Sequence, residues 1–255
     1  MLLALTRPVS PSIVDCELTH FTRQPIDLVR ATAEHAEYER QLTALGAIVQ
    51  RLPAAPALPD AVFVEDTAVV VDRLGVIARP GAESRRPETA AVAERLAKHR
   101  RLVAIQPPGT LDGGDVLVLE REVYVGRSTR TNDGGVAQLR RALEPLGFRV
   151  TAIPVDRCLH LKSAVSRIAE RTLLLNPAWI SAEAFAGFDW IGVDPTEPGA
   201  ANALAVGGAI LHPAQHVRTR ARIEAAGLAV TPMPLTELAK AEAGMTCCSI
   251  IYEVP

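Results

Sequence analysis

The chain has 255 residues, 48% of them hydrophobic and 22% charged, with a formal net charge of −2. That composition suits a globular protein with a full core and excludes both the basic footprint of a nucleic-acid binder and a long disordered segment. No apolar run approaches the roughly 18 residues of a membrane span, so neither nucleic acid nor membrane is an expected partner.

Residues 2–6 are expected as a strand, because Met1-Leu2-Leu3-Ala4-Leu5-Thr6 lacks the charged lead of a signal peptide. Residues 9–26 carry no regular element, a length that often serves as a lid or binding loop. A helix follows at 27–45 and a strand at 47–52. From there one unit recurs, read as strand, strand, helix, strand. Its copies fall at 62–71, 75–78, 87–98 and 101–105; at 115–119, 122–125, 135–146 and 149–153; at 164–168, 172–175, 182–185 and 190–193; and at 203–206, 209–211, 217–226 and 228–232. A last strand at 248–252 completes a fifth copy with the first elements of the chain. Units whose first and last pieces complete one another imply a closed ring, since an open array would leave apolar edges uncovered. One α/β domain over 1–255 is expected, and the short proline-containing connections offer no interdomain linker.

The four cysteines, Cys16, Cys158, Cys247 and Cys248, form no CxxC pair. They suit a reducing cytoplasm, with Cys247 and Cys248 expected on opposite faces of the last strand. A reactive cysteine works as thiolate, wants a base or cation beside it, and that base wants a carboxylate; Cys247, His160 and Asp112 can fill these roles. Glu65 and Asp66 end an apolar run, where carboxylates suit a guanidinium partner or else solvent. Arg85 and Arg130 hold matching places before two expected helices, where a cation opposes the macrodipole and so suits a substrate carboxylate. A lone histidine in an apolar setting such as Leu159-His160-Leu161 is more often a core residue than a catalyst. The remaining histidines lack zinc-ligand spacing, and His35 and His99 read as exposed helix positions; no metal or other cofactor is expected.

Together, Leu58-Pro59-Asp60, Phe63-Val64-Glu65-Asp66, Arg79-Pro80-Gly81, Ser84-Arg85-Arg86, Leu111-Asp112-Gly113-Gly114-Asp115, Arg130-Thr131-Asn132, Leu159-His160-Leu161-Lys162-Ser163, Ala201-Asn202 and Thr246-Cys247-Cys248-Ser249 resemble the dimethylarginine dimethylaminohydrolase family of pentein fold. The resemblance implies an α/β propeller of five ββαβ units about a pseudo-fivefold axis. It implies hydrolysis of methylated arginines to citrulline, with Cys247 as nucleophile, His160 as general acid and base, and Asp112 orienting His160. It implies Glu65 and Asp66 on the guanidinium, Arg85 and Arg130 on the α-carboxylate, and Asp60 with the Leu18 and Ala241 backbones at the α-amino group. Arginine deiminase-like chemistry on the same fold is the nearest rival, and a non-catalytic pentein is the rival from another class. The partner implied is a small molecule, and monomer and homodimer both stay open.

Overall fold

The β-branched run Ala68-Val69-Val70-Val71 forms β3 (Ala68–Val71) and turns directly into β4 (Leu74–Ile77). Only two residues separate them, and Asp72 takes the left-handed conformation, φ 44°, that matches a tight turn to the twist of a hairpin. The same device joins β6 (Val116–Leu119) to β7 (Glu122–Arg127), with Glu120 at φ 55°, and β12 (Leu204–Val206) to β13 (Ala209–Pro213), with Gly207 and Gly208 at φ 58° and 81°. Each hairpin's second strand then pairs in parallel with a third strand, which demands a crossover. Helix α2 (Thr89–Leu96) leads to β5 (Arg101–Ala104), α3 (Asp133–Leu143) to β8 (Arg149–Pro154), and α5 (Val217–Ala225) to β14 (Val230–Met233). In the third unit a short helix, α4 (Leu161–Ala164), precedes β9 (Val165–Arg167) and β10 (Thr172–Leu175), and a 3-10 turn at Ala182–Phe185 crosses to β11 (Asp189–Gly192).

The computed structural model describes residues 1–254. Its remaining sheet joins the ends of the chain. β15 (Ile250–Glu253) lies antiparallel to β1 (Leu2–Thr6), with Leu3 opposite Tyr252, and β1 pairs in parallel with β2 (Ile48–Arg51) across α1 (Leu28–Ala44). The described residues thus form five three-stranded sheets of one design, the α/β propeller expected from the repeat. The inner strands β3, β6, β9, β12 and β15 all line an axial cavity of about 240 Å³, which Glu65, Lys162 and Thr246 also line. No helix among the described residues is long and apolar enough to cross a membrane.

Three local expectations fail. Residues 62–67 do not extend β3; they form turns and a 3-10 helix, Val64–Thr67, in which Val62, Val64, Glu65 and Asp66 are all buried. Apolar side chains here meet the core without strand pairing. Cys247 and Cys248 lie in a turn ahead of β15, so strand alternation does not separate them; Cys248 is buried in the apolar cluster with Tyr38 and Met245, whereas Cys247 is part-exposed. His35 is buried, not exposed, because it falls on the α1 stripe Ala31, His35, Tyr38 and Leu42 that faces the core. Arg85 and Arg130 do lie ahead of their helices, as expected. Arg85 sits in a 3-10 turn, Glu83–Glu88, upstream of α2, and Arg130 precedes the α3 cap Asn132.

Candidate active site

A short turn leads into each inner strand, and these five turns meet at one mouth of the axis. They bring Glu65 and Asp66 before β3, Gly114 before β6, His160 and Lys162 before β9, Asn202 before β12 and Cys247 before β15 to a single chamber. Asp60, Phe63, Arg85, Arg130, Ala241, Glu17 and Glu242 complete most of its wall. The turns approach so closely that side chains are excluded. A Cβ on Gly113 would stand 2.0 Å from the Glu65 carbonyl oxygen, and one on Gly114 would stand 2.7 Å from both Asp66 Oδ1 and His160 Nδ1. The two glycines of Asp112-Gly113-Gly114-Asp115 are therefore a packing requirement of the site.

Hydrogen bonds fix each group. The Glu65 carboxylate accepts from the Lys162 ammonium and from Thr246 Oγ1 at 2.6 Å, and the Glu65 N–H donates to the Cys247 carbonyl at 3.1 Å. Asn202 clamps the nucleophile turn: its Oδ1 accepts the Thr246 N–H at 2.9 Å, while its Nδ2 donates to the Lys162 carbonyl and to Thr246 Oγ1. Asp66 accepts from Arg85 Nη1 at 2.6 Å and from the Gly114 N–H at 2.9 Å. Arg85 is in turn held by Glu88 and by the Phe63 carbonyl. Asp60 accepts the Glu17 N–H, and Arg130 Nη2 donates to Thr19 Oγ1 at 3.0 Å.

His160 stands between carboxylates. Its Nε2 lies 3.1 Å from Asp112 Oδ2 and its Nδ1 3.8 Å from Asp66 Oδ1. Burial alone would favour the neutral ring, but Asp66, the hydrogen bond to Asp112 and the Asp115 charge outweigh it and raise the imidazole to about 9. Asp66 is driven the opposite way. Burial opposes its charge, yet His160, Arg85 and the Gly114 N–H hold it at about 2. Asp115, fully buried behind the ring, rises to about 6, chiefly through desolvation. Cys247 is pushed far above an ordinary thiol by burial and by the Glu65 and Asp66 charges, against which a Gly244 N–H bond of 3.3 Å to its sulfur is a small opposing effect. The resting site therefore pairs an imidazolium with a thiol. Nε2 is committed to Asp112, which leaves Nδ1 as the nitrogen able to pass a proton to a bound molecule.

Asp66, Asp112 and His160 also bring one potential metal-ligating atom each within 4.8 Å of one another. Their lone pairs are largely engaged: Asp112 Oδ1 takes the Gly81 N–H at 2.8 Å, and Asp66 takes Arg85 and Gly114. That arrangement suits an acid–base unit better than an ion cage.

Of the residues singled out in the sequence, Cys247, His160, Asp60, Glu65, Asp66, Arg85, Arg130 and Ala241 line the chamber, with fully buried Asp112 behind His160. The Leu18 side chain packs against the core, whereas the role the resemblance implies for Leu18 is one for its backbone; Glu17 beside it lines the wall. Lys162 and Asn202 stood in recognised motifs without an assigned role, and Glu17 and Glu242 were missed altogether.

The family model described as "N,N dimethylarginine dimethylhydrolase, eukaryotic" matches residues 21–184. The N(G),N(G)-dimethylarginine dimethylaminohydrolase of Streptomyces coelicolor is 40% identical over 249 residues, covering 97% of this chain and 95% of that protein. The chain belongs to the dimethylarginine dimethylaminohydrolase family. The dimethylarginine dimethylaminohydrolase of Pseudomonas aeruginosa is 32% identical over 97% of this chain and 98% of its own length. A solved structure of a cysteine-to-serine mutant of the Pseudomonas aeruginosa enzyme complexed with citrulline superposes with a TM-score of 0.93 at 31% identity, covering 98% of each chain. The N-terminal domain of a cyanobacterial arginine dihydrolase shares the fold, with a TM-score of 0.89 at 19% identity over 100% of this chain and 98% of that one. Dimethylarginine dimethylaminohydrolases are hydrolases, and this chain presents a thiol, an imidazolium and a pair of carboxylates at one chamber.

Proposed function

We propose that the chain hydrolyses Nω-methylated arginines, asymmetric dimethylarginine and monomethylarginine, to citrulline and a methylamine. The observation that carries this reading is the convergence of Cys247, His160 and the Glu65–Asp66 carboxylates on one wall set, with Arg130 and, held by Asp66 and Glu88, Arg85 on the same wall to attract a carboxylate and Asp60 to attract an ammonium. The site takes residues from the turns of all five repeat units, which supports a single catalytic domain over residues 1–255. Four free cysteines favour a cytoplasmic setting.

The chemistry follows from the charges. A guanidinium entering between Glu65 and Asp66 replaces the missing positive charge beside Cys247 and lowers the cost of ionising the thiol, whose proton leaves to solvent. The thiolate adds to the guanidinium carbon, and His160, already protonated, donates from Nδ1 to the departing amine. A planar Cys247 thiouronium remains. Neutral His160 then takes a proton from water, the hydroxide adds to the same carbon, the C–S bond breaks and citrulline leaves. Glu65 and Asp66 hold the carbon over sulfur, a positioning effect that contributes several kcal/mol in well-oriented reactions (about 7–11 at the limit).

The test is citrulline formation from asymmetric dimethylarginine, monomethylarginine and arginine, beside Cys247→Ser. Turnover of the methylated substrates that vanishes in the variant is expected. Preference for plain arginine would move the chain to deiminase chemistry, and no citrulline from any of the three would reject the proposal.

A further inference from the structure

The chamber holds about 20 Å³ of free space. That is room for one water molecule, and no amino acid carrying a guanidino group fits it, so part of the wall must move. The turns before the inner strands are poor candidates, being buried and cross-bonded through Glu65, Asp66, Gly114, Asn202 and Thr246. Residues 17–25 differ. They contain no helix or strand, and all are exposed except half-buried Leu18. Leu18 packs on the core, the Glu17 N–H donates to Asp60 and Ser84 donates to the Glu17 carboxylate, but the largest single set of polar contacts comes from one side chain. The backbone N–H groups of Thr19, His20 and Phe21 all donate to the Glu242 carboxylate, at 3.0, 2.5 and 2.6 Å.

Glu242 is an unusual residue for its position. It ends a 3-10 helix, Leu238–Ala241, with φ 59°, the left-handed conformation that glycine or asparagine adopts most easily. A glutamate there bears a conformational cost, and successive N–H groups converging on its carboxylate make an anion cradle of the kind that binds phosphates elsewhere. Glu242 also lines the chamber, next to Ala241. A second fastening, Arg130 Nη2 to Thr19 Oγ1, ties the same segment to a residue that faces the chamber.

We propose that Glu242 is the latch of a lid formed by residues 17–21, and that release of this carboxylate from the three amides governs entry of the methylated arginine and departure of citrulline. Glu242 acts here as a positioning residue: it holds the lid and takes no part in bond making. The inference rests on the functional reading above.

The test compares wild type, Glu242→Gln and Glu242→Ala by amide hydrogen exchange and by the rate of citrulline dissociation. Exchange at 19–21 should rise at least tenfold in Glu242→Ala and less in Glu242→Gln, which keeps one acceptor oxygen, while amides of β10 stay unchanged. Citrulline should dissociate faster by the same order. KM should rise. Unchanged exchange at 19–21 in Glu242→Ala would overturn the proposal. So would faster exchange with citrulline dissociation unchanged, which would make the loop a passive wall, and so would a parallel rise in β10, which would mean general destabilisation. If wild type forms no citrulline from any of the three substrates, the functional reading fails alone, and exchange at 19–21 still decides whether Glu242 fastens the segment.

Discussion

Replacing Asp112 by Asn tests the electrostatics of the site directly. The carboxylate is fully buried, with one oxygen on His160 Nε2 at 3.1 Å and the other taking the Gly81 N–H at 2.8 Å. His160 stands at about 9 against an ordinary 6.5, a rise worth roughly 3 kcal/mol in favour of the imidazolium. Asp112 supplies this through a hydrogen bond and through its charge, beside Asp66 and Asp115. A third of the total corresponds to roughly 1 kcal/mol, so the variant should titrate about one pH unit lower. Asparagine also has a single oxygen, so either Gly81 or His160 loses its acceptor, at a cost of about 1–3 kcal/mol for a buried donor. The sign follows from the raised value in the folded protein. The stability that protonated His160 contributes is complete below pH 6.5 and is lost as pH rises through about 9 in wild type, or about 8 in the variant. The alkaline limb of kcat, where the general acid is lost, should move down by the same interval, with kcat itself lower by about 10²-fold or more. The assay is a kcat profile from pH 6 to 10 beside unfolding by urea at each pH. An alkaline limb that stays in place in Asp112→Asn would refute the reasoning, since it would mean that the buried carboxylate does not set the protonation of the ring.

Four further outcomes are expected. Gly114→Ala inserts a methyl 2.7 Å from both Asp66 Oδ1 and His160 Nδ1; citrulline formation should fall by about 10²-fold, as misplaced catalytic groups do, and stability by about 1–3 kcal/mol, measured by turnover and urea midpoint, with wild-type turnover telling against the packing argument. Asn202→Ala frees the Thr246 N–H that the Asn202 Oδ1 accepts at 2.9 Å; the buried donor should cost about 1–3 kcal/mol and kcat should fall while KM changes little, an outcome that steady-state kinetics would exclude if KM alone rose. Alkylation of Cys247 by neutral chloroacetamide, followed by peptide mass spectrometry, should still be accelerating above pH 9, because burial and the Glu65 and Asp66 charges hold the thiol up; a rate that levels near 8.5, the ordinary thiol range, would show that those charges are not felt. Cationic chloroacetamidine should react much faster than chloroacetamide in wild type, and the ratio should collapse in Glu65→Gln.

The repeat was legible because its signals are local. Valine-rich runs, two-residue turns such as Asp72-Arg73 and Glu120-Arg121, and the apolar spacing of α3 each sit within a dozen residues. Even the closing sheet was readable, since the two ends of the chain each held half a unit. The turns that lead into the inner strands were not. Ala61-Val62-Phe63-Val64 has strand composition, and only the crowding of five turns around the axis forces it into a 3-10 path. His35 carried a signal that was overlooked, its i, i+4 spacing from Ala31 on the buried face of α1. Lys162 and Asn202 could not be assigned from their own neighbourhoods, because what defines them lies far along the chain: Glu65 is 97 residues from Lys162, and Thr246 is 44 from Asn202. Glu17 and Glu242 look like solvated charges in sequence and acquire meaning only when the loop is laid over the chamber.

The charge arrangement links reactivity to occupancy. Beside the sulfur, Glu65 and Asp66 oppose thiolate formation, and the one cation close to Glu65 that helps, Lys162, is spent on that carboxylate's hydrogen bond. An enzyme built to keep its cysteine ionised at rest would place an uncompensated cation or a neutral base at this point. On the proposed function the missing positive charge is left for the substrate guanidinium to bring, so that binding and activation become one event. The same arrangement protects the protein. A neutral thiol reacts slowly with oxidants, and with Cys248 turned into the core the part-exposed Cys247 has no second exposed sulfur beside it. On the same proposal selectivity follows without a tight steric filter: a neutral ureido product such as citrulline lacks the charge that would ionise Cys247, so the chemistry shuts off when the product forms.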